Sequence, residues 1–189
     1  ILGQASLSSC CTDFKGLGCS GGNLPYGAAF INTIGHEIGH QWSAQHTWTY
    51  CREPANGVPC EPGSGTTIMS YAGACGSDNI SGAGLGLYYN VCSLSQIREF
   101  VQSGAGSTCG VNQVVENHPP VVTIVTPQNL TIPARTPFEL TASAVDQDGD
   151  ALSYCWEQAD TGPSVALGQA SLNSPLFRSY EPTTSPVRT

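Results

Sequence analysis

His36-Glu37-Ile38-Gly39-His40 sets two histidines and a glutamate within five residues, and His46 follows six residues later. On a helix, positions i and i+4 stand roughly 40° apart around the axis and one turn along it, so both imidazoles can reach one ion at about 2.0–2.1 Å. Glu37 lies about 100° from His36 at that spacing, beside the ion rather than on it, where it can take a proton from an activated water. A tight turn after Trp42 would bring His46 back as a third ligand. Three protein ligands leave one coordination position for water, the arrangement of a catalytic zinc site. Three of the chain's four histidines stand in this one motif. The competing reading is a buried helix whose histidines merely face a polar loop.

A helix must carry the motif. From Ala28 to about Trp42, Phe30, Ile34, Ile38 and Trp42, with Ile31 beside them, form an i, i+4 apolar row. The row predicts a buried face about 160–200° from the ligands and leaves the ligand face to line a cleft. Ahead of it, Ile1–Leu7 reads as a strand and Cys10–Pro25 as a loop rich in glycine and cysteine. The spacing of Leu94, Ile97, Phe100 and Val101 predicts a shorter helix over Ser95–Val101.

The rest of the composition bounds the class. The 189 residues carry 6 basic and 14 acidic side chains, a net charge of −8. With Lys15 as the single lysine there is no electrostatic footprint for nucleic acid. Charged residues are 11% and hydrophobic ones 40%, too apolar for a disordered chain. No apolar run approaches the roughly 18 residues of a transmembrane segment. The chain begins at Ile1 without methionine or leader pattern, so it is expected to be processed or cut from a longer protein. Nine cysteines point to an oxidising, secreted or cell-surface setting. The first eight, Cys10 to Cys109, form an even set that staples a loop-rich domain. Cys51–Cys60 is one candidate bridge, and Cys155 is left over.

Nineteen of 22 glycines lie before residue 113, nine of 13 prolines at or after 119, and eight of nine cysteines at or before 109. The three shifts coincide, which divides the chain into a first domain over 1–112, a linker over 113–120 containing Asn117-His118-Pro119-Pro120, and a second domain over 121–189. In the second, Val121–Val125, Phe138–Ala142 and Ala151–Trp156 read as short strands of an antiparallel sandwich. Its length falls short of the roughly 100 residues of such a domain, so it is expected to be truncated. Asp146, Asp148 and Asp150 alternate on one side of an extended segment and can offer oxygens to Ca²⁺; an Asp/Gly turn is the commoner reading.

His36-Glu-x-x-His40-x-x-Ser-x-x-His46 resembles the metzincin zinc signature, HExxHxxGxxH followed by a methionine turn. Thr67-Ile68-Met69-Ser70-Tyr71 resembles that turn. Glu61-Pro-Gly-Ser-Gly-Thr66, Ala72-Gly-Ala-Cys-Gly76 and His46-Thr47-Trp48 are similar to the reprolysin-like (adamalysin-like) secreted bacterial metalloproteases. The stretch from Pro119 through Glu157 resembles the Ig-like sandwich modules attached to such enzymes. The resemblance implies an α+β metzincin-like catalytic domain followed by part of an all-β Ig-like sandwich. It implies a protein or peptide substrate, zinc held by His36, His40 and His46, Glu37 as general base, and Met69 as an apolar floor under the metal. Tyr71 stands where some members have a tyrosine near the zinc, with simple packing as the alternative. Two departures follow. Ser43 replaces the family's glycine, and serine at positive φ costs about 1 kcal/mol. Only 35 residues precede His36, so the first strands of such a domain are expected to be missing, with Ile1–Leu7 matching its substrate-pairing edge strand. Against the peptidase stands a non-enzymatic adhesion or matrix-binding module with a structural zinc site, which needs no base and closes its fourth position.

Overall fold

The computed structural model describes residues 3–21, 26–169 and 171–189. The predicted strand over Ile1–Leu7 is realised as β1, Gly3–Ala5, with its first two residues outside the described part. The expected loop Cys10–Pro25 contains β2, Gly18–Ser20, paired antiparallel with β1 from Gly3↔Ser20 to Ala5↔Gly18; its residues 22–25 lie outside the described part. Helix α1, Ala28–Gln41, runs as predicted and packs on both strands.

The predicted burial of the apolar row on α1 is not what the fold builds. Ile31 is 57% exposed, Ile38 46% and Trp42 39%, while the buried residues of the helix are His36, Glu37 and Gly39. The β1–β2 hairpin and the irregular chain from Ala44 to Asn90 cover the histidine face instead. Periodicity finds an apolar stripe but does not reveal which element will cover it.

From Ala44 to Asn90 there is little regular structure, apart from isolated bridges such as Trp48↔Glu61. Two small apolar clusters lie here: Ala44, Ile68 and Met69 with Tyr89 and Ile97 against them, and Trp48, Cys51 and Cys75 with Ala55 and Tyr71. Much of the buried remainder is polar, including Thr47, Thr49, Glu61, Thr66, Thr67 and Asn90. Buried polar groups hold only when hydrogen-bonded, so this layer is fixed by bonds more than by apolar contact.

Helix α2, Val91–Gln102, starts a turn earlier than the spacing predicts. Asn90 caps it by accepting from the Cys92 N–H at 2.9 Å. Glu157 adds a carboxylate at the same end, accepting from the Val91 N–H at 2.7 Å and from the Asn90 amide at 3.0 Å, where the helix dipole favours negative charge. Disulfides join Cys11 to Cys109 and Cys51 to Cys75. The candidate Cys51–Cys60 pairing is therefore overturned: Cys51 and Cys75 meet in the Trp48 cluster, whereas the buried Cys60 thiol donates to Asn90 Oδ1 at 3.6 Å.

The chain forms two compact units, one from the described residues up to Val111 together with Glu157–Tyr180, the other from Asn112–Trp156 with Glu181–Thr189. The second unit therefore begins where composition shifts, but the chain leaves it at Glu157 and returns at Glu181. Hydrogen bonds tie that excursion to the first unit, from Ala55 N–H to Ser164 Oγ at 2.9 Å and from Tyr88 Oη to Ser179 Oγ at 2.9 Å. The second unit holds β3, Val121–Ile124, β4, Leu140–Val145, and β5, Val187–Arg188, in one antiparallel sheet of order β3-β4-β5. β4 begins two residues and ends three residues later than predicted. Predicted strand Ala151–Trp156 forms only the bridge Tyr154↔Thr183, because a single pair of backbone bonds joins it to a neighbour. Among the described residues this unit has one sheet and no second layer, and Val121, Val122 and Ile124 are exposed.

Replacing Asn90 by alanine removes the α2 cap and strands the Cys60 and Glu157 partners. Urea unfolding should show a loss of about 1–3 kcal/mol; a change under about 0.5 kcal/mol would show that the cap carries no weight.

Candidate metal centre

His36 and His40 stand one turn apart on the buried face of α1, their ring centroids 4.7 Å apart. The helix then ends in a Schellman motif: Ser43 N–H donates to the His40 carbonyl and Ala44 N–H to the Gly39 carbonyl, both at 2.9 Å. Ser43 takes φ +80°, the left-handed conformation that the family's glycine would accept at no cost. Its hydroxyl accepts a hydrogen bond from Ser8 Oγ at 3.0 Å. The serine is thus accommodated, and the chain turns back so that His46 reaches the site.

His46 completes a triangle, with centroids 5.1 Å from His36 and 4.8 Å from His40. Each ring engages an acceptor through Nδ1: His36 the Ile68 carbonyl at 2.8 Å, His40 the Ala44 carbonyl at 2.8 Å, His46 the Asn56 Oδ1 at 2.7 Å. These oxygens only accept, so each Nδ1 carries the proton and each Nε2 is left with a lone pair. The His40 and His46 Nε2 atoms face each other at 3.2 Å, and the three ligand nitrogens lie within 4.8 Å of one another. Neighbouring lone pairs repel unless a cation lies among them. Burial pushes all three imidazoles toward the neutral form; for His36 the pKa falls to about 4, with the Ile68 bond opposing and the other two histidines adding to the fall. Neutral nitrogen donors in this arrangement, each held by an outer partner, fit a zinc ion.

Met69 is fully buried and packs with Ala44 and Ile68. Gly39 permits the approach: a Cβ there would stand 2.4 Å from the Met69 sulfur. Gly57 does the same beside His46, where a Cβ would come within 2.3 Å of the His46 carbonyl oxygen. Glu37 is 6% exposed, with Gly3 of β1 against its carboxyl, and burial raises its pKa above the usual range. Tyr71 packs on His46 at 4.6 Å and on Trp48 at 5.6 Å between centroids. Burial, then the charges of Glu37 and Glu53, push its phenol up. A cleft of about 330 Å³ opens beside His36, Glu37 and Tyr71 and is walled by Ala72, Gly73 and Ala74.

The structure thus brings together His36, Glu37, His40, His46, Met69 and Tyr71. It does not gather the acidic trio of the second unit. Asp146 Oδ1 accepts from the backbone of Asp148 and Asp150 in a turn, and Asp148 engages the His118 backbone N–H at 2.6 Å and ring at 3.0 Å. His118 holds the Asp148 carboxyl below its usual range. Among the described residues the three form no metal-ligand cluster, and the turn reading is the one the geometry carries. Sequence reasoning missed Asn56, whose partner is ten residues away, Gly57, and Glu61, a buried carboxylate within a stretch noted only for its resemblance.

These features define a metallopeptidase. Residues 1–100, just over half of the chain, match the metallo-peptidase family M12B, reprolysin-like, and the chain belongs to that family, whose members use zinc. No curated protein and no solved structure matches it. No helix among the described residues is long and apolar enough to cross a membrane.

The Ser43 conformation sets an order of stability. Glycine at 43 should equal or exceed serine by up to about 1 kcal/mol, and valine, which tolerates positive φ poorly, should lose at least about 1–2 kcal/mol. Thermal melts of Ser43→Gly and Ser43→Val test this; a valine variant as stable as the parent would contradict the assigned turn.

Proposed function

We propose that this chain is a secreted zinc endopeptidase in which His36, His40 and His46 hold the metal and Glu37 is the general base. The observation that carries the reading is the convergence of three Nε2 lone pairs, fixed by three Nδ1–H bonds, with a carboxyl next in sequence to the first ligand and a cleft beside it. When bound, zinc supplies Lewis-acid polarisation of the scissile carbonyl and draws the pKa of water toward about 7. Glu37 takes the proton from the attacking water and delivers it to the departing amine. Its nearly complete burial keeps that carboxyl more basic than one in water.

Tyr71 is read as a donor to the developing oxyanion. Its raised pKa keeps the phenol protonated, and its ring is braced by His46 and Trp48. Met69 forms the apolar floor, since its sulfur is enclosed below Gly39. The substrate is a protein or peptide laid along the cleft walled by Ala72–Ala74. Two disulfides support an extracellular location. The sequence resemblance of the stretch from Pro119 through Glu157 supports an Ig-like accessory module, of which the described residues form one antiparallel sheet.

Glu37→Gln should keep the metal, measured as zinc per chain by atomic absorption, while casein or peptide hydrolysis falls about 10²–10⁴-fold. Phenanthroline should abolish cleavage by the parent, and zinc should restore it. Cleavage by Glu37→Gln at the parent rate would remove the glutamate from the mechanism, and a rate indifferent to the chelator would remove the metal.

A further inference from the structure

We propose that Glu61 is a positioning residue that holds the third histidine in register with the methionine turn and so sets the metal affinity. The inference rests on the reading of His36, His40 and His46 as zinc ligands. Glu61 is 1% exposed, and among the described residues it makes no ion pair. Its carboxylate is satisfied by hydrogen bonds alone. Oε2 accepts from the Thr47 hydroxyl at 2.5 Å and the Thr67 hydroxyl at 2.6 Å. Oε1 accepts from the Thr66 N–H at 2.9 Å, the Thr66 hydroxyl at 3.2 Å and the Thr67 N–H at 3.3 Å.

The donors come from two segments with different tasks. Thr47 follows His46. Thr67 precedes Ile68, whose carbonyl fixes the His36 ring, and Met69, the floor. One carboxylate oxygen therefore bridges the segment of the third ligand to the segment that orients the first. The Glu61 backbone reinforces the clasp, donating to the Thr47 carbonyl at 2.9 Å and accepting from Thr49 N–H at 3.0 Å. Among the described residues, direct backbone bonding between the two segments is limited to Thr47 N–H donating to the Met69 carbonyl at 3.2 Å, beside the packing of Tyr71 on His46 and Trp48. A buried charge with this many donors fixes its neighbours sharply, because each donor is held by a charge-assisted bond. Partners bonded to the ligands typically set metal affinity by about 10–100-fold, and Glu61 acts on the Ile68 carbonyl and His46 through the segments that carry them.

A mere structural staple would lower stability and leave the folded site unchanged, so the test separates the two. Thr47→Val and Thr66→Val each remove one hydroxyl from the same carboxylate, but only Thr47 adjoins a ligand. Zinc affinity is measured by competition with a fluorescent chelator, the visible spectrum after Co²⁺ substitution reports ligand geometry, and the metal-free melt reports folding. Thr47→Val and Glu61→Gln should weaken zinc about 10–100-fold and alter the cobalt bands, while Thr66→Val loses stability with affinity and spectrum intact. Equal affinities and spectra for parent, Thr47→Val and Glu61→Gln would overturn the proposal, and Thr47→Val decides alone if Glu61→Gln does not fold. A parent that binds one zinc, lost in His46→Ala, sustains the underlying ligand reading; a parent that binds none overturns both.

Discussion

Three imidazoles share one constraint: each has spent its Nδ1 proton on an oxygen and must turn its other nitrogen inward. The acceptors belong to three places in the chain, the end of α1 at Ala44, the loop at Asn56 and the methionine turn at Ile68. Fixing the ring tautomers therefore fixes the path of the backbone from 44 to 68. The same geometry brings unprotonated nitrogens together at a cost that a cation offsets. On the proposed zinc assignment, metal binding adds to the stability of this layer, as expected where ligands come from chain with little regular structure of its own.

That layer explains the polar interior. The apolar clusters around Met69 and Trp48 are small, and between them run buried threonines and serines. Two carboxylates act as hubs: Glu61 for the loop, and Glu157, which joins Asn90, the start of α2 and the Ser179 hydroxyl. Disulfides closing 98 and 24 residues restrict the unfolded chain where apolar burial is modest. The excursion of Glu157–Tyr180 into the first unit belongs to this pattern, since it supplies partners for polar groups rather than a new apolar face.

What the sequence disclosed and what it concealed divide along distance. His36, Glu37 and His40 were legible because helical geometry makes i and i+4 neighbours, and the return of His46 followed from a six-residue interval and one strained turn at Ser43. The cap at Asn90 had a local signal, an Asn ahead of an apolar pattern, which the apolar spacing alone overlooked. Asn56, Glu61 and Glu157 had none, because their partners lie between 5 and 67 residues away and nothing in composition encodes such pairs. The cysteine pairing failed for the same reason: proximity in sequence favoured Cys60 for Cys51, while packing beside Trp48 selected Cys75. The second compact unit starts at Asn112, beside the shift in composition, and the chain departs from it at Glu157, a change in the partners of a segment and not in its residue types.

The aromatic side chains beside the three histidines and the cleft form one cluster. His46, Trp48 and Tyr71 pack on one another with centroids 4.6–6.1 Å apart. Behind Trp48 and Tyr71 lies the Cys51–Cys75 disulfide. Cys75 follows directly on Ala72–Ala74, the wall of the cleft. The Cys51–Cys75 link thus anchors the cleft wall beside the buried Trp48 indole, on which His46 also packs. Movement of that wall would disturb the Tyr71 ring and, through it, His46, so the cleft proposed to receive substrate is braced by the same packing as that histidine. Pre-positioning of this kind lets side chains meet a reacting carbonyl without rearrangement. The small residues at Ala72–Ala74 leave the cleft open there, and on the proposed function that space is what a substrate side chain would fill.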